Sequence, residues 1–189
     1  KEKSHKQIKE NLEFDEIDSI HGSCMFINKK SHIQISEDIE FGEIDSIHGS
    51  CMFINKDSFL NIGKFDENFF LYYEETEFCH RAKNTGYLSY QINKSKVKTK
   101  GRSVDIENDN NKNFSNLLIW HFIWSKYYFH KKKYGKLISL TIFLPILARI
   151  LFRITLYKVT KNKILLDKYS SRLDGLLKSM KGKKSSLRP

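Results

Sequence analysis

Apolar residues fall into two rhythms along this chain, and the change of rhythm divides it. From Ile17 to Ile54 they come in short bursts of strand character. The run Ile-Asp-Ser-Ile-His-Gly-Ser-Cys-Met-Phe-Ile ends in consecutive apolar residues and is closed by Asn-Lys, which predicts a strand leading into a turn. The run occurs twice: Glu16–Lys29 and Glu43–Lys56 both read EIDSIHGSCMFINK, inside a longer near copy in which Ser4–Lys30 is followed at once by Ser31–Asp57. Solenoids need three or more units to bury their faces, and two copies point instead to a tandem duplication. Only the second copy continues into the segment that carries candidate chemistry. The native strand is therefore placed at Ile44–Ile54, and the first copy is expected to form an extra edge strand or an arm, where an unpaired apolar edge favours aggregation.

Beyond the repeat, Asp57 or Ser58 can cap a short helix that Gly63 ends in the left-handed conformation. An aromatic-rich connection, Phe65 to Tyr73, leads to Glu74-Glu75-Thr76-Glu77, the acidic first turn of a second helix running through Cys79 and Arg81 towards Gly86. Tyr87–Ile92 alternates as a strand, with Lys94–Lys100 a candidate for another, and Asp105–Asn113 is polar enough to be a loop.

The rhythm then becomes helical. Phe114–Tyr134 is aromatic and aliphatic throughout, with Trp120 and Trp124 on one helical face, and Ile164–Met180 repeats apolar residues at helical spacing. Between them, Leu137–Ala148 is free of charge. Twelve residues of helix reach about 18 Å, short of the roughly 30 Å hydrocarbon core. Extension to Tyr157 reaches that length but takes in Arg149 and Arg153, each costing about 2.5–3.5 kcal/mol near the bilayer centre. Aromatics and the flanking Lys131, Lys132, Lys133, Lys158, Lys161 and Lys163 favour a helix lying in the interface of an anionic membrane; a spanning helix and a buried core helix are the alternatives.

Charge sharpens this division. Lys and Arg number 33 against 22 Asp and Glu, a net +11. Acidic residues gather before about residue 80, and the chain is strongly basic from Tyr127 onward, so the second part is expected to meet an anionic partner. No nucleic-acid-binding motif accompanies the charge. Three widely spaced cysteines, Cys24, Cys51 and Cys79, with no signal peptide in the first thirty residues, indicate reduced thiols in the cytosol; Cys79-His80 has no zinc-site companions.

Carboxylates at a helix start commonly do no more than complement the helix dipole, and that reading covers Glu74 and Glu75. A second reading comes from the order of the residues around them. Ile47-His48-Gly49-Ser50-Cys51-Met52-Phe53-Ile54 is followed by Gly63-Lys64-Phe65-Asp66-Glu67-Asn68-Phe69-Phe70, then by Glu74-Glu75-Thr76-Glu77-Phe78-Cys79-His80-Arg81 and Gly86. Residues 44–103 thereby resemble the C-terminal half of the nucleotide-sugar-binding domain of family 2 glycosyltransferases, rhamnosyltransferase-like members in particular.

The resemblance implies an inverting transfer from a nucleoside-diphosphate sugar to an acceptor hydroxyl, which needs a general base. The family's basic Asp falls on Glu75, beside Glu74. Glu retains the carboxylate but adds a methylene, moving the oxygens by about 1.5 Å. The resemblance also implies that Gly49 and Ser50 let the donor sugar approach a strand end. It further implies that Arg81 pairs with an acidic neighbour to hold the helix start, that Asp66 and Glu67 orient the loop or simply form its turn, and that Lys98, standing where the family has a metal-proximal His, contacts phosphate as a point charge.

The family's Asp-x-Asp motif, which holds Mg²⁺ or Mn²⁺ on the diphosphate, has no counterpart in a strand context. Asp105-Ile106-Glu107 has the spacing but sits in a polar loop. No metal ligand is therefore assigned, and the divalent cation is expected only of an enzyme that includes the nucleotide-binding half.

The expected architecture is α/β: a partial GT-A domain lacking its N-terminal nucleotide-binding half, followed by membrane-associating helices. Its divisions are 1–40 (duplicated strand or arm), 41–104 (GT-A portion), 105–113 (linker) and 114–189 (basic helical region). The expected partners are a nucleotide sugar, a lipid-linked or polysaccharide acceptor and the anionic cytoplasmic face of a membrane, held peripherally or with one helix inserted; no nucleic acid is expected. The rival expectation is a non-catalytic membrane-surface or interaction fragment.

Overall fold

The computed structural model describes residues 20–29, 41–46, 49, 51–98 and 109–185, with side chains for 42–46, 49, 51–92 and 113–185. In chain order the elements are β1 (Ile20–Lys29), β2 (Phe41–Ile44), β3 (Met52–Ile54), α1 (Lys56–Ile62), α2 (Glu74–Asn84), β4 (Tyr87–Lys98), α3 (Asp109–Tyr134), α4 (Lys136–Val159) and α5 (Lys163–Met180). The fold is mixed α/β, mainly helical with one small sheet.

The sheet has the order β2-β4-β1-β3; β4 is antiparallel to both β2 and β1, and β3 runs parallel to β1. The strand of the first repeat copy therefore lies inside the sheet, not at an edge or in an arm. The second copy, expected as one strand over Ile44–Ile54, is interrupted. Where it leaves the sheet, Asp45 pairs with Lys83 of α2 at 2.6 Å, and the Ser46 hydroxyl donates to Thr76 Oγ1 at 3.2 Å. In β3, Met52, Phe53 and Ile54 lie opposite Met25, Phe26 and Ile27, so equivalent residues of the two copies meet in register. The two strand segments expected after Gly86 are one strand, β4, whose register against β1 shifts where Ser23 faces Lys96 and Met25 faces Gln91.

Asn55, rather than Asp57 or Ser58, caps α1: its Oδ1 accepts from the N–H groups of Asp57 and Ser58 at 3.0 and 3.1 Å. Gly63 closes α1 at φ +98°, a conformation open to glycine without a side-chain penalty. The inner faces of α1 and α2 bury Ile62, Phe78, Cys79 and Ala82, and Met52, Ile54, Phe59 and Tyr87 pack against them.

The three long helices form the second packing unit. α3 already begins at Asp109, so the expected linker ends inside a helix. A single residue, Gly135, separates α3 from α4, and Thr160–Asn162 separates α4 from α5. Their shared core is Ile123, Tyr127, Phe143, Ile150, Ile154 and Leu176. Trp120 and Trp124 are buried here; their indole N–H groups donate to Asp174 Oδ2 at 2.7 Å and to the Lys183 carbonyl at 3.1 Å. α3 and α5 touch most closely at Gly175, where a Cβ would stand 2.7 Å from the Trp120 carbonyl oxygen.

α3 is the wall common to both units. Ser125 Oγ donates to the Leu71 carbonyl at 2.7 Å, Phe69 packs edge-on to Tyr128, and Lys132 reaches both Asp66 and Glu77. The connection between α1 and α2 is thereby fixed from below.

Candidate functional site

The chain enters α2 through two consecutive left-handed residues, Tyr72 (φ +66°) and Tyr73 (φ +69°). A non-glycine residue in this region is uncommon and costs free energy that surrounding contacts must offset. Here those contacts are aromatic: Tyr72 stands edge-on to Phe122 with ring centres 5.5 Å apart, and Tyr73 lies 5.8 Å from Phe122 and 5.5 Å from Phe129. Tyr73 gives α2 no side-chain cap, so the first turn presents its N–H groups to the acidic side chains that follow.

Glu74 and Glu75 are both half-buried in that first turn. Glu75 lies against Gly49, its Oε1 being 3.5 Å and its Cδ 3.7 Å from where a Cβ at Gly49 would stand. Burial pushes the Glu74 carboxyl above the usual carboxylate range. A hydrogen bond from its own backbone N–H opposes the rise, while the charge of Glu75 and a side-chain hydrogen bond with it add to it. Two carboxyl groups thus share one site, and each has one buried oxygen, Oε2, with no hydrogen-bond partner among the described residues. Such an arrangement can accept a hydrogen bond from an incoming hydroxyl and then its proton.

The remaining residues expected at the site separate into distinct places. Ser50 lies outside the described residues. Lys98 lies in β4 opposite Ile20, and its side chain is outside the described ones. Glu67 is exposed. Asp66 anchors its own turn: its carboxylate accepts from the Asn68 backbone N–H at 3.0 Å, Asn68 Nδ2 at 2.7 Å and Tyr128 Oη at 3.1 Å, and pairs with Lys132 at 2.7 Å. Burial alone would raise its pKa, but Lys132 and the Asn68 donors outweigh this and hold it at about 2. Arg81 pairs with Glu77 through Nε at 2.8 Å and donates from its two terminal nitrogens to the carbonyls of Ile62 and Lys64.

Glu77 and Lys132 are the residues that the sequence reading missed. Glu77 is only 2% exposed and is held by Arg81 on one side and by Lys132 at 2.6 Å on the other. The i,i+4 spacing of Glu77 and Arg81 was a usable signal. For Lys132 the signal was weaker: Trp124, Tyr128 and Lys132 recur every four residues, which places this one lysine of the basic triplet on the inner face of α3. Cys51 is partly buried and Cys79 is buried.

No three His, Cys, Asp or Glu side chains converge among the described residues. Glu74 and Glu75 supply two adjacent carboxyl groups, a number that Mg²⁺ accepts when water and substrate phosphate complete its octahedral shell.

No family model matches the chain, and no curated protein or solved structure matches it.

Proposed function

We propose that this chain carries the acceptor-activating side of an inverting glycosyltransferase resembling family 2, working on a lipid-linked or polysaccharide acceptor at the cytoplasmic face of a membrane. The observation that carries this reading is the placement of Glu75 at the start of α2 against Gly49, with Glu74 beside it. An acceptor hydroxyl hydrogen-bonded to Glu75 loses its proton to that carboxylate as its oxygen attacks the anomeric carbon, and the nucleoside diphosphate leaves from the opposite face. The Asp66–Lys132–Glu77–Arg81 network acts as positioning structure that fixes the α1–α2 connection and the foot of α2. In this reading the sheet with α1 and α2 is the C-terminal portion of a GT-A-type domain, which takes the nucleotide sugar as donor.

The membrane part of the reading rests on α4, a helix long and apolar enough to cross a membrane. Ser139, Phe143, Ile150 and Ile154 point inward, while Leu137, Leu144, Leu151, Phe152 and Val159 form an exposed stripe on the opposite side. A helix that is apolar on both sides needs a second apolar medium. The helices packed against it, α3 and α5, carry Lys131, Lys133, Lys168, Arg172 and Lys178, which favours α4 lying in the plane of an anionic interface over spanning.

The test replaces Glu75 by Gln in the protein in its own host, followed by mass spectrometry of the lipid and polysaccharide fractions. Loss of a glycosylated species is the expected result; an unchanged profile overturns the transferase reading. Flotation with vesicles tests the membrane part. Binding to phosphatidylglycerol-containing vesicles should be lost in the double variant Leu144→Lys, Phe152→Lys, and no flotation of the unaltered protein overturns the interfacial placement.

A further inference from the structure

α3 and α5 are in tight contact at Gly175 and Trp120, and about one turn earlier along both helices they part. The gap is an open groove of about 260 Å³, lined by Tyr72, Ser115, Leu118, Ile119, Phe122 and Arg172. Its chemistry is uneven. Five of the six residues supply apolar or aromatic surface and two hydroxyls, those of Tyr72 and Ser115, and the sixth is a guanidinium. Arg172 has no ion pair or hydrogen bond among the described residues; its one recorded contact is with the Tyr169 ring, 5.4 Å from the guanidinium carbon. A second guanidinium, that of Arg153, lies 5.9 Å from the centre of the same ring. The nearest carboxylate in sequence, Asp174, is engaged by Trp120 and Lys178.

An arginine in an ion pair has one or two of its five donors committed and its charge largely offset. Arg172 keeps its planar fork available, at the rim of an apolar trough, with a second cation nearby to raise the local potential. Exposed Phe122 forms the opposite wall, on the side where Tyr72 enters. The volume lies just below the roughly 300–1,000 Å³ that encloses a drug-sized ligand. It suits a headgroup and the first carbons of one chain, with the remainder leaving through the open side.

We propose that this groove binds one molecule of a single-chain anionic amphiphile, its phosphate or carboxylate head on Arg172 and its alkyl chain along Leu118, Ile119 and Phe122. The groove shares Tyr72 with the entry to α2, and its occupancy does not depend on the transferase reading. It is distinct from the α4 stripe, which meets a lipid surface and not a single molecule.

The experiment is calorimetric titration of the whole protein with dodecyl phosphate, kept below its micelle-forming concentration. Dodecyl maltoside (same chain, neutral head) and inorganic phosphate (head without chain) are titrated in parallel. One saturable site for dodecyl phosphate is expected, with both comparison ligands weaker. Arg172→Gln should weaken dodecyl phosphate binding about tenfold or more, the loss of a charge-assisted hydrogen bond. Arg172→Lys, which keeps the charge but not the fork, should fall between. Arg172 is on the surface, so circular dichroism of both variants should match the unaltered protein. Three results overturn the proposal: no saturable binding, equal affinity in Arg172→Gln, or inorganic phosphate binding as tightly as dodecyl phosphate. The last would leave an anion site with no role for the chain.

Discussion

Glu75 Oε1 lies 3.5 Å from the point where a side chain on Gly49 would begin. That distance is ordinary van der Waals contact, so a single methyl group fits and anything larger meets the carboxylate. Gly49→Ala is expected to change stability by no more than about 0.5 kcal/mol and to keep transfer activity. Gly49→Val should displace Glu75 and lower activity on the order of a hundredfold with little change in Tm. Thermal unfolding and product analysis on the same two variants check this split.

The Glu74 carboxyl is raised by burial and by Glu75, which gives its effect on stability a definite sign. A carboxyl whose folded value is raised contributes stability that is complete below its unfolded value, about 4.3, and lost as pH rises through the folded one. At neutral pH an ionised Glu74 therefore weighs against the fold. Glu74→Gln should raise Tm at pH 7, and the gain should fade as the pH drops below about 4. Circular dichroism melts across this range measure it.

Lys132 joins two carboxylates that have few other cations to turn to. Lys132→Met leaves Glu77 with Arg81 alone and Asp66 with neutral donors alone, at a cost of about 3 kcal/mol, the low end for breaking a buried pair because the lysine keeps some contact with water. Asp66, held at about 2 against an ordinary 3.8, contributes stability that is present above pH 4 and lost as pH falls from about 4 to about 2. The variant should lose part of that acid-side slope as well. Urea unfolding at pH 7 and at pH 3 separates the two effects.

Gly175 is where α5 rests on the backbone of α3. A Cβ there would meet the Trp120 carbonyl oxygen at 2.7 Å and Ile123 Cγ2 at 2.9 Å. Alanine gains about 1 kcal/mol of helix propensity, but a backbone carbonyl cannot swing aside, and overpacking costs about 1–3 kcal/mol. The expected net loss is about 1 kcal/mol, a Tm drop of roughly 2–4 °C for a chain of this size, with the Trp fluorescence maximum shifting as the Trp120–Asp174 hydrogen bond loosens.

The elements controlled by local chemistry were legible in the sequence. Gly63 ended α1, the acidic run Glu74–Glu77 opened α2, and the helical period of Ile164–Met180 gave α5. The position of the repeat in the sheet was not legible, because two identical segments carry identical propensity and only their neighbours decide between them. Where the second copy leaves the sheet, Asp45 and Ser46 meet partners on α2 that lie 30 or more residues away in sequence. The partners of Trp120 and Trp124 were not legible for a related reason. An aromatic beside a basic run looks the same whether its partner is a lipid headgroup or Asp174, and the partner is 54 residues distant. The resemblance had already set Glu75 beside Gly49, and the two lie in contact; the groove at Arg172 became visible only in three dimensions.

Because Met25, Phe26 and Ile27 stand opposite Met52, Phe53 and Ile54, this sheet extends by repetition: the strand on its rim has the same letters as the strand it rests on. A surface that has already accepted its own copy will accept another by the same rule, whether that copy comes from one more duplication or from a neighbouring molecule. With only three residues, β3 keeps the invitation small, and lengthening it would turn a folding solution into a template for growth.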